Sequence, residues 1–224
     1  VSASLSLAIA DELRGRVRLG FAAISGATVR AESDVLAREI EAYGAELRGT
    51  YGGGRSAEVP GAEDARSLYK AVGLDPTKTR PSNEALLRRV LKGEALYRVN
   101  TLVDALNLAS LRHQLPFGLY DAARLRPPIV LRRGAAGEGY EGIRKARVNV
   151  DDRPVLVDED GPFGNPTSDS ARSAITLETR EALVVCYAPA AITSARLARV
   201  VDETAALLVR HCSGAVTAQG LVPA

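Results

Sequence analysis

Arg98-Val99-Asn100-Thr101-Leu102-Val103-Asp104-Ala105-Leu106-Asn107-Leu108-Ala109-Ser110-Leu111-Arg112-His113 runs straight into Gln114-Leu115-Pro116, and there the chain changes character. Before Pro116 apolar residues recur at helical spacing, over residues 32–47, 62–72, 82–92 and 100–113. Ser82 stands as an N-cap before Leu86, Leu87, Val90 and Leu91, while Gly73 and Gly93 sit just past helix ends. After Pro116 the pattern turns to short strands, at residues 127–132, 154–157, 174–176 and 182–187. Two more strands are expected at residues 5–10 and 16–24, and the run Gly52-Gly53-Gly54 closes the first unit. A last helix, 193–212, carries Leu197, Val200, Val201, Thr204, Ala205, Leu208 and Cys212 on one stripe that should face the sheet. Helices and strands are grouped and do not strictly alternate. The expected fold is therefore α+β, with a central, mostly antiparallel or mixed sheet and flanking helices, and not a doubly wound nucleotide fold.

Composition excludes several function classes. With 29 Lys+Arg against 27 Asp+Glu, the formal charge of +2 is too small for a uniformly basic nucleic-acid coat, although a local patch is allowed. Lysine occurs only at Lys70, Lys78, Lys92 and Lys145, and the Ala-, Arg- and Val-rich bias reads as GC-rich bacterial coding. Cys186 and Cys212 are too far apart for a metal framework, and His113 and His211 lack a partner at ligand spacing, so no metal is expected. Cys186 lies in an apolar run, which favours an inert thiol. Gly137-Glu138-Gly139 has no strand-to-helix setting, no P-loop lysine follows a glycine run, and no Gly-x-Ser-x-Gly elbow occurs. No cofactor is expected. The apolar N-terminus lacks a basic leader and no run approaches the roughly 20 residues of a membrane span, which makes the cytoplasm the default location.

Two constellations can carry chemistry. Asn100, Asp104 and Asn107 fall at i, i+4 and i+7, so they share one helix face, with Leu102, Leu106 and Ala109 left for the core. Asn and Asp are weak helix formers, which suits a ligand-facing stripe; an N-cap at Asn100 and a favourable helix dipole at Asp104 account for the same residues. The second is the polar loop Gly161-Pro162-Phe163-Gly164-Asn165-Pro166-Thr167-Ser168-Asp169-Ser170-Ala171-Arg172. Asn165, Thr167, Asp169 and Arg172 are its candidate binding groups, and Asp169 and Arg172 are spaced to pair. The same residue types also make plain turns.

The segments Thr79 to Gly93, Arg98 to Asp104 and Leu115-Pro116-Phe117-Gly118-Leu119-Tyr120-Asp121 together resemble the free-standing B3/B4-domain family, over roughly residues 60 to 212. On that resemblance residues 1–224 form one B3/B4-like domain, with an N-terminal portion of about 1–75 and a motif region of about 76–212. In phenylalanyl-tRNA synthetase the related domain of the β subunit hydrolyses tyrosine misattached to the phenylalanine tRNA. The resemblance implies trans-editing of a mischarged aminoacyl-tRNA, or a non-catalytic module that binds tRNA or an amino-acid-like ligand. Arg80, Arg88, Arg89 and Arg98 are then candidate phosphate contacts, against the reading of a solvated face. Two departures stand out. Gly118 replaces a histidine typical of the synthetase pattern, and Phe163-Gly164-Asn165 stands where Gly-Gly-Glu is typical, so the catalytic residues stay unassigned.

Overall fold

The computed structural model describes residues 6–53, 56–143 and 146–223; the start of the first expected strand at Leu5, Gly54 of the glycine run and Lys145 lie outside the described residues. The elements in chain order are β1 (Leu7–Ile9), β2 (Val17–Ser25), α1 (Asp34–Tyr51), α2 (Ala62–Ala71), α3 (Ser82–Leu91) and α4 (Thr101–His113). They continue as β3 (Phe117–Asp121), β4 (Ile129–Arg133), β5 (Gly139–Glu141), β6 (Arg147–Asn149), β7 (Pro154–Asp158), β8 (Gly161–Gly164), β9 (Glu181–Pro189), α5 (Ser194–Cys212) and β10 (Ala215–Leu221).

Strand β9 organises the molecule, because its apolar run is buried on both faces. Ala182, Val184, Cys186 and Ala188 point into a core shared with α1, α3, α4 and α5. Leu183, Val185 and Tyr187 point the other way, into a second core shared with β1, β4, β7, β8 and α2. Side chains alternate along a strand, so one continuous apolar segment serves two layers. Its sheet has the order β10-β2-β9-β3 and is antiparallel throughout. The second sheet, β1-β4-β7-β8, is antiparallel except for the parallel pair β1 and β4, and β5 and β6 form a separate hairpin. The architecture is α+β with mixed and antiparallel sheets and flanking helices, as the grouping of elements predicts.

Caps explain where the helices begin. Ser33 accepts a hydrogen bond from the Leu36 amide at 3.3 Å, Asn100 from Val103 at 3.0 Å and Thr193 from Arg196 at 3.2 Å. The α5 stripe packs as expected, and it needs Gly20 on β2: a Cβ there would collide with Val201.

Three local expectations are corrected. Ser82 is the first residue of α3 and not its cap; the cap is Pro81, and the Ser82 hydroxyl instead donates to the Pro166 carbonyl at 3.3 Å. Residues 174–176 form no strand, because the Thr176 amide is held by the Thr179 hydroxyl in a turn. The polar segment 161–172 is not an irregular loop: it begins as β8, and Gly164 pairs with Asp169 across a tight turn.

Candidate functional site

A cleft of about 290 Å³ opens where α3, α4 and that turn meet the edge of β3. Its walls are apolar, from Leu86, Val99, Val103, Leu106, Phe117, Leu119, Ile143 and Ile175. Its polar groups are Ser82, Asn107, Ser110 and the run Asn165 to Asp169. A cleft with apolar walls and a few convergent polar groups is the usual form of a small-ligand site.

The turn is rigidly built. Asn165 Oδ1 accepts from the backbone amides of Thr167 and Ser168 at 2.8 and 2.9 Å, and the Asn165 amide donates to the Ser168 carbonyl at 3.1 Å. Asn165 Nδ2 donates to the Tyr140 hydroxyl at 2.9 Å, and that hydroxyl donates to the Ser168 carbonyl. From the other side, Tyr69 donates to the Pro166 carbonyl and meets the Thr167 hydroxyl, both at 2.9 Å. Asn165 and Thr167 therefore line the cleft while their own hydrogen-bonding groups are largely spent on shaping it.

Asp169 closes the turn and is the group with chemistry left to use. Burial pushes its carboxyl up to about 7, and hydrogen bonds from the Tyr120 hydroxyl and the Leu119 amide only partly offset this. One of its oxygens, Oδ1, is enclosed and has no hydrogen-bond partner among the described residues. A carboxyl that titrates near neutrality inside a cleft is suited to take and return protons. Asn107, half-buried on α4, presents its amide to the same space.

The remaining candidates lie elsewhere. Asn100 and Asp104 do not share the cleft face with Asn107; the face turned to the cleft is Val103, Leu106, Asn107 and Ser110. Asn100 is the α4 cap. Asp104 is buried beneath it, where Oδ1 accepts from the Val99 amide at 3.0 Å and Oδ2 lies 3.8 Å from Arg98. Burial raises its carboxyl against the opposing pull of that amide and of Arg98. Arg172 does not pair with Asp169. It forks onto the Asp158 carboxylate, whose side chain is wholly buried, at 2.8 and 3.0 Å. Of the arginines, Arg80 is exposed and Arg88 half-exposed. Arg98 is turned toward Asp104, and Arg89 is engaged by the Ala95 carbonyl, the Tyr97 hydroxyl at 3.0 Å and Glu94 at 3.0 Å.

Gly118 does not face the cleft. Phe117 and Leu119 do, while position 118 opens between the sheets, where an added Cβ would collide with the Tyr120 hydroxyl. The tyrosines around the turn carried no signal in the sequence, since Tyr69, Tyr120, Tyr140 and Tyr187 come from four separate segments. Among the described residues, no group of three or more His, Cys, Asp or Glu side chains is placed to hold a metal ion. No helix among them is long and apolar enough to cross a membrane.

Four helices on one face of an antiparallel sheet, a second sheet with α2 on the other and a lateral cleft define an α+β domain. The chain belongs to the B3/4 domain family, whose model matches residues 64–217 and so spans every segment that lines the cleft. The fold is similar to that of a crystal structure of an N-terminal fragment of the phenylalanyl-tRNA synthetase β-subunit from Pyrococcus horikoshii. The TM-score is 0.52 at 12% sequence identity, and the match covers 99% of this chain and 55% of that one. The chain thus spans about half the length of that fragment. No curated protein matches the sequence.

Proposed function

We propose that the cleft receives the aminoacyl end of a charged tRNA and that the protein hydrolyses mischarged esters in trans, acting in the cytoplasm as one B3/B4-like domain over residues 1–224. The observation that supports this reading most is Asp169, a carboxyl poised near neutrality in an apolar cleft. The apolar walls would take the amino-acid side chain and the Asn107 amide would hold the ester carbonyl. Asp169 would accept a proton from an attacking water as its oxygen bonds to the carbonyl carbon. As the bond to the ribose oxygen breaks, the same carboxyl would return the proton to it. Arg80, Arg88 and Arg98 are the proposed phosphate contacts, and Arg89 is a weaker one because its guanidinium is already held.

One feature favours a non-catalytic alternative. Asn165 and Thr167 line the cleft with their hydrogen-bonding groups already spent on shaping it, which would suit a binding site for aminoacyl groups without turnover.

The test is to incubate the protein with a panel of correctly and incorrectly charged tRNAs and to measure amino-acid release, beside Asp169→Asn and Asn107→Ala. Selective release that falls at least about tenfold in Asp169→Asn is expected of a general base. No release from any pair, with binding retained, supports the module without catalysis. Binding led by phosphate contacts should weaken steeply as salt rises.

A further inference from the structure

We infer that Tyr120 is the positioning residue of the cleft, held by a pair of glycines so that its hydroxyl orients the Asp169 carboxyl. The inference deepens the proposed hydrolytic reading and rests on it for its functional meaning, but not for its geometry.

Three observations converge. Tyr120 and Gly118 are two apart on β3 and so share a face, and a Cβ at Gly118 would collide with the Tyr120 hydroxyl. The ring therefore folds back along its own strand over Gly118. A Cβ at Gly164 would collide with the same ring from β8. Gly164 is the direct partner of Asp169 in the turn, and opposed residues of an antiparallel pair project to the same side. The Asp169 side chain is thus sent to the side where Gly164 leaves room for Tyr120. Phe163 fixes the ring edge-on at a centroid distance of 4.9 Å, and the Tyr187 hydroxyl lies 2.9 Å from that of Tyr120.

An alanine at either glycine position would occupy the volume of the ring, which gives Gly118 a reason of its own in this chain. The titratable groups facing Asp169 are Tyr120 from β3, Tyr187 from β9 and Tyr140 from β5, with Tyr69 of α2 beyond Thr167. All are neutral hydroxyls, since burial pushes each of the four phenols upward. Of the four phenols, Tyr120 is the one whose hydroxyl offsets the effect of burial on the Asp169 carboxyl.

The experiment follows the Asp169 carboxyl directly, by a carbon-detected NMR titration of the whole protein, with the resonance assigned by its loss in Asp169→Asn. Tyr120→Phe keeps the ring and removes the hydroxyl, so the Asp169 midpoint should rise by about one pH unit, the loss of one hydrogen bond to a charged group. Tyr187→Phe should move it less. An Asp169 midpoint unchanged in Tyr120→Phe, in a variant whose circular dichroism and melting match the parent, overturns the inference. If Tyr120→Phe does not fold, Tyr187→Phe must still displace the midpoint upward, and its failure to do so overturns the inference equally. Should the titration move while no charged tRNA is hydrolysed, the proposed hydrolysis fails and the positioning role stands. Where hydrolysis occurs, the pH profile of its rate should shift with the same midpoint.

Discussion

The hydroxyls of Tyr69 and Thr167 lie 2.9 Å apart and join α2 to the turn that floors the cleft. Tyr69 has one proton to give and donates it to the Pro166 carbonyl, so Thr167 donates to Tyr69. Burial pushes this phenol up to about 12, which keeps it a donor at any ordinary pH. Tyr69→Phe should cost about 1–2 kcal/mol by chemical denaturation, because it leaves the Pro166 carbonyl to the longer Ser82 bond alone. Hydrogen exchange of the Thr167 and Ser168 amides should quicken in the same variant.

Asp169 makes the fold sensitive to rising pH. Its folded-state value, about 7, stands above the ordinary 3.8 of an aspartate, so between these the native state holds a proton that the unfolded chain has released. Its stabilising contribution is full below about pH 4 and is lost as pH climbs through about 7. Asp169→Asn should flatten that decline, and melting temperatures taken from acid to mildly alkaline pH would show it.

Glu39 works in the opposite sense. Burial raises its carboxyl, but hydrogen bonds from Arg112 and His211 and the charge of Arg210 outweigh this and hold it below the ordinary range. Arg112, Arg210 and His211 approach it at 2.8, 2.6 and 2.9 Å, so one carboxylate of α1 fastens the C-terminal turns of α4 and α5. This contribution is present above the unfolded value of about 4.5 and is lost as pH falls through the lower folded value. Glu39→Gln should destabilise the protein by about 1 kcal/mol at neutral pH, with a smaller penalty in high salt.

Arg172 belongs to the scaffold. Removing it by Arg172→Ala would leave the wholly buried Asp158 side chain with the Arg126 and Asp160 amides but no paired charge, at a cost of about 3 kcal/mol. Replacing both partners together should cost less than that single change, and a double-mutant cycle in urea would measure the difference.

The sequence made the helices legible because their ends carry local chemistry: Ser33, Asn100 and Thr193 cap the chain within three residues of themselves. It also made β9 legible as a buried run. Strands β5, β6 and β8 are three or four residues long, too short for alternation to register, and β10 is largely exposed. In the site, Asn107, Asn165, Thr167 and Asp169 stood out as polar residues in unexpected places, and all four line the cleft. Helical spacing grouped Asn107 with Asn100 and Asp104, but those two answer to the helix start and the Val99 amide. The partner of Arg172 lies on another strand, and the tyrosine cluster gathers segments far apart in the chain, so neither pattern is visible locally.

Strand β2, at residues 17–25, sits between β9 at 181–189 and β10 at 215–221, and β1 pairs with β4 across some 120 positions. A ribosome would release β2 long before its neighbours exist. The early strand must wait unpaired, and neither sheet can close until most of the chain has emerged. Pairings of such long sequence separation fold slowly, which makes the interval before β9 appears the stage at which this protein most needs protection from aggregation.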